Sequence, residues 1–306
     1  MISTGSRFSV GFPIAEQNAV ERLRQLYKGG SLEFYSESLD IVRFPSESYH
    51  RVFRDYLRDK YAGDTPDLIV LITVGNLHLA ENLLGQLFPG TPVVAAGLTE
   101  EEFPSVMAPS RTSAVAQRSD PVGTIKLMLQ LQPEIRNLVL IGGIAEVDRQ
   151  VMDRARQAAR KFAHRFETEV WDRRSMAEIL DGVTSLPPQT AILFTRMFRD
   201  GAGGAHVSSQ AAQSVAQVAN VPVYVMSDPS LGTGAVGGSV ADVPALGKRA
   251  GELAERILSG AEPHSLPLEI LTSGVPIFDW RALKRWGISE SRLPPKSIIR
   301  FRPPSI

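Results

Sequence analysis

VPVYVMSDPSLGTGAVGG, residues 221–238, is the stretch on which the reading of the whole chain turns. Pro222 to Met226 is a short apolar, β-branched run after an Asn-Val-Pro turn, the pattern of a fully buried strand. Asp228-Pro229 then makes a polar turn, and a glycine-rich segment returns into Ala235-Val236. Gly232 to Gly237 matches G-x-G-x-x-G, which invites a dinucleotide fold. A true fingerprint lies directly between a strand and the helix it opens, with an acidic residue about 20 positions on. Here Ser227 to Leu231 separate the glycines from the strand, Gly238-Ser239-Val240 follow them, and the position 20 beyond Gly237 is Ile257. The glycines are therefore read as backbone that turns and packs closely, and the segment as a crossing between two lobes.

Outward from that stretch, the chain alternates strand and helix patterns. Leu68 to Val74 and Pro92 to Ala96 are unbroken apolar runs, expected as central parallel strands. Helices are expected over Ala19–Tyr27, Tyr49–Tyr61 and Leu77–Leu87, with strand candidates at Leu32–Tyr35 and, weakly, Arg7–Phe12. From Glu100 to Arg118 the pattern thins into Pro, Ser and charged residues, which suggests a lobe boundary. A second series follows: helix Pro121–Leu131, strand Leu138–Ile141, helix Asp148–Phe162, strand Glu167–Trp171 and helix Ser175–Gly182. In the last of these Ser175 and Glu178 read as a capping box. Strand Ala191–Phe194, helix Ser208–Ala219 and strand Val223–Met226 complete it, before helix Pro244–Leu258. Repeated βα units imply parallel sheets covered by helices on both faces. The expected architecture is α/β, two Rossmann-like lobes joined by a multi-strand hinge. Lobe 1 is expected over 1–118 plus 229–260, lobe 2 over 119–228, with 261–306 returning over the lobes.

Composition narrows the function. The 306 residues suffice for two domains with good cores. Lys plus Arg equals Asp plus Glu at 33 each, so no overall field favours nucleic acid. Cysteine is absent, which removes disulfides, thiolate metal sites and cysteine nucleophiles. No apolar run approaches the roughly 18 residues of a membrane span, and Met1 opens no basic-then-apolar signal segment. His50, His78, His164, His206 and His264 are scattered without ligand spacing. G-x-S-x-G and the P-loop pattern are missing, and nothing groups a nucleophile, a base and an oxyanion hole. Gly201-Ala202-Gly203-Gly204 precedes a helix, but a flexible turn explains it better than anion binding. The chain is expected to be no enzyme, and to hold no metal and no cofactor.

Ligands of open α/β sheets sit at the carboxyl ends of the strands. That rule selects Asn76, Leu98 and Thr99 in the first series, and Gly143, Thr195, Arg199, Asp200 and Asp228 in the second, as candidate ligand-binding residues. Small groups leave room there, while Arg199 and the two aspartates suit a zwitterion or polar substituent. Taken singly, Asp200-Gly201 is a turn and Asp228 a turn cap; taken together they suggest a cleft.

Several segments carry a family resemblance that spans nearly the whole chain. They are EFYSESLD (33–40), YLRDKYAGDTPDLIV (56–70), LFPGTPVV (87–94), RDGAG (199–203), VPVY with LGTGAVGG, and, most specifically, DWRALKRWGISESRLPP (279–295). The chain resembles the type I periplasmic binding proteins, in particular the ABC-transporter substrate-binding-like domains that serve as extracytoplasmic sensors of bacterial histidine kinases. The resemblance implies a periplasmic module that closes on a small molecule, such as an amino acid or small organic compound, and signals to a membrane-bound kinase region. A homodimer is a further candidate assembly. The alternative is a free solute-binding protein of an ABC importer, and a weaker third reading is a nucleotide-sugar enzyme with two Rossmann-like lobes. In such sensors the tail leads toward a membrane span. Residues 279–306 carry seven basic side chains against two acidic, and also Trp280, Trp286, Ile288 and Leu293. A short helix over Trp280–Ile288 packed on the body is expected, with Ile298–Phe301 extended, Trp286 buried deeply enough for its loss to cost roughly 3–5 kcal/mol, and the residues after Pro303 loose.

Overall fold

The structure, a computed structural model, describes residues 1–5, 11–41, 44, 46–74, 77–98, 110–272 and 274–304. The chain divides into two units, Met1–Arg118 with Val243–Thr272, and Ser119–Asp242 with Ser273–Ile306. It therefore passes from one unit to the other three times.

Unit 1 is built from β1 (Ile2–Ser3), α1 (Gly11–Leu26), β2 (Glu37–Ser38), α2 (Glu47–Lys60), β3 (Ile69–Ile72), α3 (Leu77–Leu87), β4 (Val93–Leu98), β5 (Thr112–Arg118), α8 (Val243–Leu258) and β11 (Glu269–Thr272). Its six strands run in the order β2-β1-β3-β4-β5-β11, all parallel. β3 shows why its sequence is an unbroken apolar run. Ile69 and Leu71 pack into one core with Leu57 and Leu84, while Val70 packs into another with Leu253 and Ala254. Both faces of the strand are buried, so no position can be polar. α2 starts where Ser46 accepts a hydrogen bond from the Tyr49 amide. Glu47 sits in its first turn and Arg58 and Lys60 in its last, as the helix dipole favours.

Unit 2 contains α4 (Pro121–Leu131), β6 (Asn137–Ile141), α5 (Glu146–Arg160), β7 (Glu167–Trp171), α6 (Met176–Gly182), β8 (Thr190–Phe194), α7 (Ser208–Val218), β9 (Val223–Val225), β10 (Gly237–Val240), β12 (Val275–Asp279), α9 (Trp280–Arg285) and β13 (Ile298–Arg300). The strand order is β7-β6-β8-β9-β10-β12-β13; β12 is antiparallel to β10, and the other pairs are parallel. β6 repeats the logic of β3: Leu138 and Leu140 enter one core, Val139 and Ile141 the other. Asp120 caps α4 through the Gly123 amide at 2.7 Å, with Pro121 in the first turn. Ser175 and Glu178 form a reciprocal capping box at α6.

Several sequence expectations need correction. The first strand is Ile2–Ser3; of the Arg7–Phe12 candidate, residues 7–10 lie outside the described residues, and Phe12 belongs to α1. The strand expected at Leu32–Tyr35 falls instead at Glu37–Ser38. Thr112–Arg118, read as part of an irregular boundary, is the strand β5. The return to unit 1 comes at Val243 and not at Pro229, because Gly237–Val240 pairs with both β9 and β12 inside the unit 2 sheet. Nor is 261–306 one returning segment. β11 pairs with β5 in unit 1, whereas β12, α9 and β13 belong to unit 2.

The tail is integrated into unit 2 through β13, while residues 301–304 are exposed; of the residues expected to be loose after Pro303, 305–306 lie outside the described residues. Leu283 and Ile288 are buried in the core formed with α4 and α5, and Trp286 is only partly buried against it, so the burial expected of Trp286 is met chiefly by its neighbours. Arg285 donates to the carbonyls of Ala216 and Ala219. Arg300 clamps Asp228 with two bonds, at 2.6 and 2.9 Å.

Two stability tests follow. Gly237 has φ +128°, and a Cβ there would sit 2.1 Å from the Ile277 carbonyl oxygen. Gly237→Ala should cost more than about 1 kcal/mol in urea denaturation, whereas Gly63→Ala, with open space around it, should be near neutral. Arg300→Ala leaves the 6%-exposed Asp228 carboxylate without its partner and should cost about 1–3 kcal/mol by the same measurement, after allowance for the partial exposure of Arg300. Arg300→Lys should recover less than half of that, since an ammonium cannot make the two-pronged contact.

Candidate functional site

In an open parallel sheet the ligand crevice lies where neighbouring strands send their chain to opposite sides. In unit 2 the strand order puts that point between β6 and β8, and in unit 1 between β1 and β3.

At the unit 2 switch point two loops are knitted together. Gly142-Gly143-Ile144 leaves β6, and Thr195 to His206 leaves β8. The Gly143 amide donates to the Arg196 carbonyl and the Ile144 amide to the Arg199 carbonyl, both at 2.8 Å. The Thr195 amide and hydroxyl both donate to the Ile141 carbonyl. Gly143 is needed for the closeness of the loops, since a Cβ there would meet Asp148 Oδ2 at 2.3 Å and the Arg199 carbonyl oxygen at 2.4 Å. Asp148, in the first turn of α5, is fully buried. Its Oδ2 accepts from the amides of Ala145, Phe198 and Arg199. Burial pushes this carboxyl up from its ordinary value, against the pull of the Phe198 amide and the Arg196 charge.

Asp200 organises the outer part of the second loop. Oδ1 accepts from the amides of Ala202 and Gly204, and Oδ2 from the Met176 amide and the His206 ring. Burial pushes its carboxyl up, but the bonds from His206, Met176 and Gly204 outweigh it and hold the group below its ordinary value. Arg199 donates to the Gly203 carbonyl at 3.0 Å. Beside this turn, at the end of β7, the Arg174 guanidinium lies 3.7 Å over the Trp171 ring.

Gly143, Thr195, Arg199 and Asp200 are thus brought together at one strand-end cluster. Asp228 has a separate engagement, its carboxylate taken up by Arg300. Leu98 is fully buried among the apolar side chains of unit 1, so it presents no side chain to solvent. Asn76 and Thr99 lie outside the described residues. The sequence reading missed Thr4 and Thr73, which stand at the ends of β1 and β3. Both are completely buried, with the Thr4 hydroxyl 3.3 Å from that of Thr73 and accepting from the Val74 amide at 3.3 Å. The signal available was a hydroxyl residue closing the apolar run LIVLIT; for Thr4 a two-residue strand offered none. Among the described residues no group of His, Asp or Glu is placed to hold a metal ion, and no helix is long and apolar enough to cross a membrane.

The Asp200 carboxylate gives a pH test. Its folded value lies below the unfolded one near 3.8, so its stabilisation is complete above that pH and is lost as pH falls through the folded value. Asp200→Asn should therefore cost about 1.5–3 kcal/mol at pH 7, with the gap to the parent protein narrowing below the ordinary aspartate range in urea denaturation.

Comparison with known proteins places this geometry. The model of the ABC transporter substrate binding protein family matches residues 60–292. An ABC domain from Streptococcus pneumonia in complex with L-Trp is 16% identical, with 97% of this chain and 98% of that chain covered at a TM-score of 0.70. A conserved domain protein from Vibrio cholerae is 15% identical, with 97% of each chain covered and a TM-score of 0.70. A substrate binding protein with adhesive properties from Clostridium difficile, in its ligand-free open form, is 14% identical over 97% of each chain at a TM-score of 0.67. A search of curated proteins finds no match. The structural likenesses establish the fold, that of the type I periplasmic binding proteins. With three quarters of its length matched by the family model, the chain belongs to the ABC transporter substrate binding protein family.

Proposed function

We propose that the chain is an extracytoplasmic receptor that binds a small molecule without transforming it, through the loops at the carboxyl ends of its parallel strands. The family match over residues 60–292 carries this reading. The Gly143–Thr195–Arg199–Asp200 cluster supports it, because a glycine, a hydroxyl, a carboxylate and a guanidinium are the materials of a polar ligand site. Amino acids head the candidate ligands, since the fold is shared with a domain in complex with L-Trp and a carboxylate suits Arg199.

Two outputs fit such a receptor. Delivery to an ABC importer is the one that the family favours. Signalling, as the sensor domain of a histidine kinase, is supported by a different observation. β12, α9 and β13 are woven into unit 2, so any segment attached after Arg300 is tied to the motion of that unit.

A thermal-shift screen of the chain against amino acids, aromatics and small organic acids tests the binding. A ligand at about 100 times its Kd should add about 2.7 kcal/mol of stability, and Arg199→Ala should weaken that ligand by about tenfold. A panel without any saturating shift would overturn the receptor reading; an unchanged Kd in the Arg199 variant would overturn only the placement of the site. Deleting the gene separates the outputs: loss of ligand uptake marks an importer receptor, and intact uptake with lost ligand-dependent transcription marks a sensor.

A further inference from the structure

Unit 1 contains a pocket of about 210 Å³ between α2 and α3, roofed by the segment after β2. It shares no residue with the strand-end cluster of unit 2. Leu39 and Ile41 form a buried apolar wall, and Phe53 and Leu83 are half-buried beside them. The polar side is made by Glu47, His50, Arg51, Arg54, Asn82 and Gln86, so the two guanidinium groups leave this side with a net positive charge despite Glu47. Both ring nitrogens of His50 are shielded from solvent and neither has a hydrogen-bond partner among the described residues. The Arg54 Nε is also shielded without such a partner; the Asp55 carboxylate approaches it only to 3.9 Å. The rest of that guanidinium is held in place, with Nη1 donating to Gln86 Oε1 at 3.2 Å, while Gln86 Nε2 is itself anchored on Asn82 at 2.7 Å.

His50 and Arg54 are half-buried and four residues apart, so they share one face of α2. Shielded donors without partners are costly, and here both belong to residues that line one pocket whose other wall is apolar. A guanidinium N–H and an imidazole N–H side by side match the two oxygens of a carboxylate. The volume sets the size of the body attached to it. An apolar cavity of roughly 150 Å³ takes a benzene, whereas drug-sized ligands need about 300–1,000 Å³. We propose that this pocket is a second binding site for a small carboxylic acid with a compact apolar body, of the size of benzoate. The carboxylate lies between His50 and Arg54 and the body on Leu39, Ile41 and Phe53. The site is complete within unit 1 and does not depend on the ligand of the receptor reading.

Isothermal titration of the whole chain with sodium benzoate, and with benzyl alcohol as its uncharged counterpart, tests the proposal. Benzoate should bind saturably at one site, and benzyl alcohol at least about tenfold more weakly, because it lacks the charge-assisted bonds. Arg54→Gln should also weaken benzoate about tenfold, with thermal unfolding nearly unchanged because the loss of one exposed hydrogen bond to Gln86 is offset by removal of the unpartnered Nε donor. Leu83→Trp, which places a large side chain into the pocket from α3, should abolish binding. Absence of saturable benzoate binding overturns the proposal. So does benzoate binding that is equal in the parent, Arg54→Gln and Leu83→Trp proteins, since the acid would then occupy some other surface.

Discussion

Parallel pairing is the constraint from which the rest of this molecule derives. A parallel strand cannot be followed by its neighbour through a tight turn; the chain must cross over the sheet and return to the same end. Most of the described crossovers are helices laid on a sheet face, and each of the thirteen described strands joins at least one parallel pair. Coverage on both sides requires the apolar runs of β3, β6 and β8. It also forces all the strand-end loops of a sheet to one edge. Polar chemistry is excluded from the middle of each unit and gathered at that edge. The candidate site is a result of topology before it is a result of any particular side chain.

How those loops are held explains the roles of their carboxylates. Loops carry many backbone amides that no ladder satisfies, and a carboxylate can satisfy several at once. Asp148 gathers three amides from two loops, and Asp200 gathers two amides and a histidine ring from its own turn and the Met176 amide from the start of α6. Asp148 fixes the backbone of Arg199, and Asp200 fixes the turn that follows it. A rigid edge of this kind limits the ordering cost when a ligand binds.

Much of the fold was legible in the sequence, and the exceptions have physical causes. Long buried strands announce themselves through Leu68–Val74 or Ala191–Phe194. β1 has two residues, too few to show any period. β5 fills its place with Thr, Ser and Ala, because it lies among close neighbours where branched side chains are not needed, and its composition resembles a loop. The glycines at 232–238 were correctly separated from a nucleotide fingerprint, yet the inference that they cross between lobes failed. They allow β10 to lie close against β12, a contact that only the partner strand reveals. In the site, strand-end position sufficed to select Gly143, Thr195, Arg199 and Asp200 as one group. What it did not convey was commitment: Asp228 belongs to Arg300, a residue 72 positions away, and no local pattern records such a pairing. His50 and Arg54 were overlooked for the opposite reason, since on a helix full of charges they look like ordinary solvated residues.

The discontinuity of unit 1 has a consequence for how the chain is made. β5 is synthesised early, but β11, which covers its outer edge, lies about 150 residues later, beyond nearly all of unit 2. At ~5–20 residues per second the ribosome needs about 8–30 s to deliver it. During that interval the nascent sheet of unit 1 ends in an unpaired strand, and the face later covered by α8 is bare, a combination that invites edge-to-edge association. Unit 2 emerges in the meantime and likewise waits for β12 and β13. Neither unit can complete its sheet before residues 269–300 have been made, so the two sheets are finished almost together although their first strands are made far apart in time.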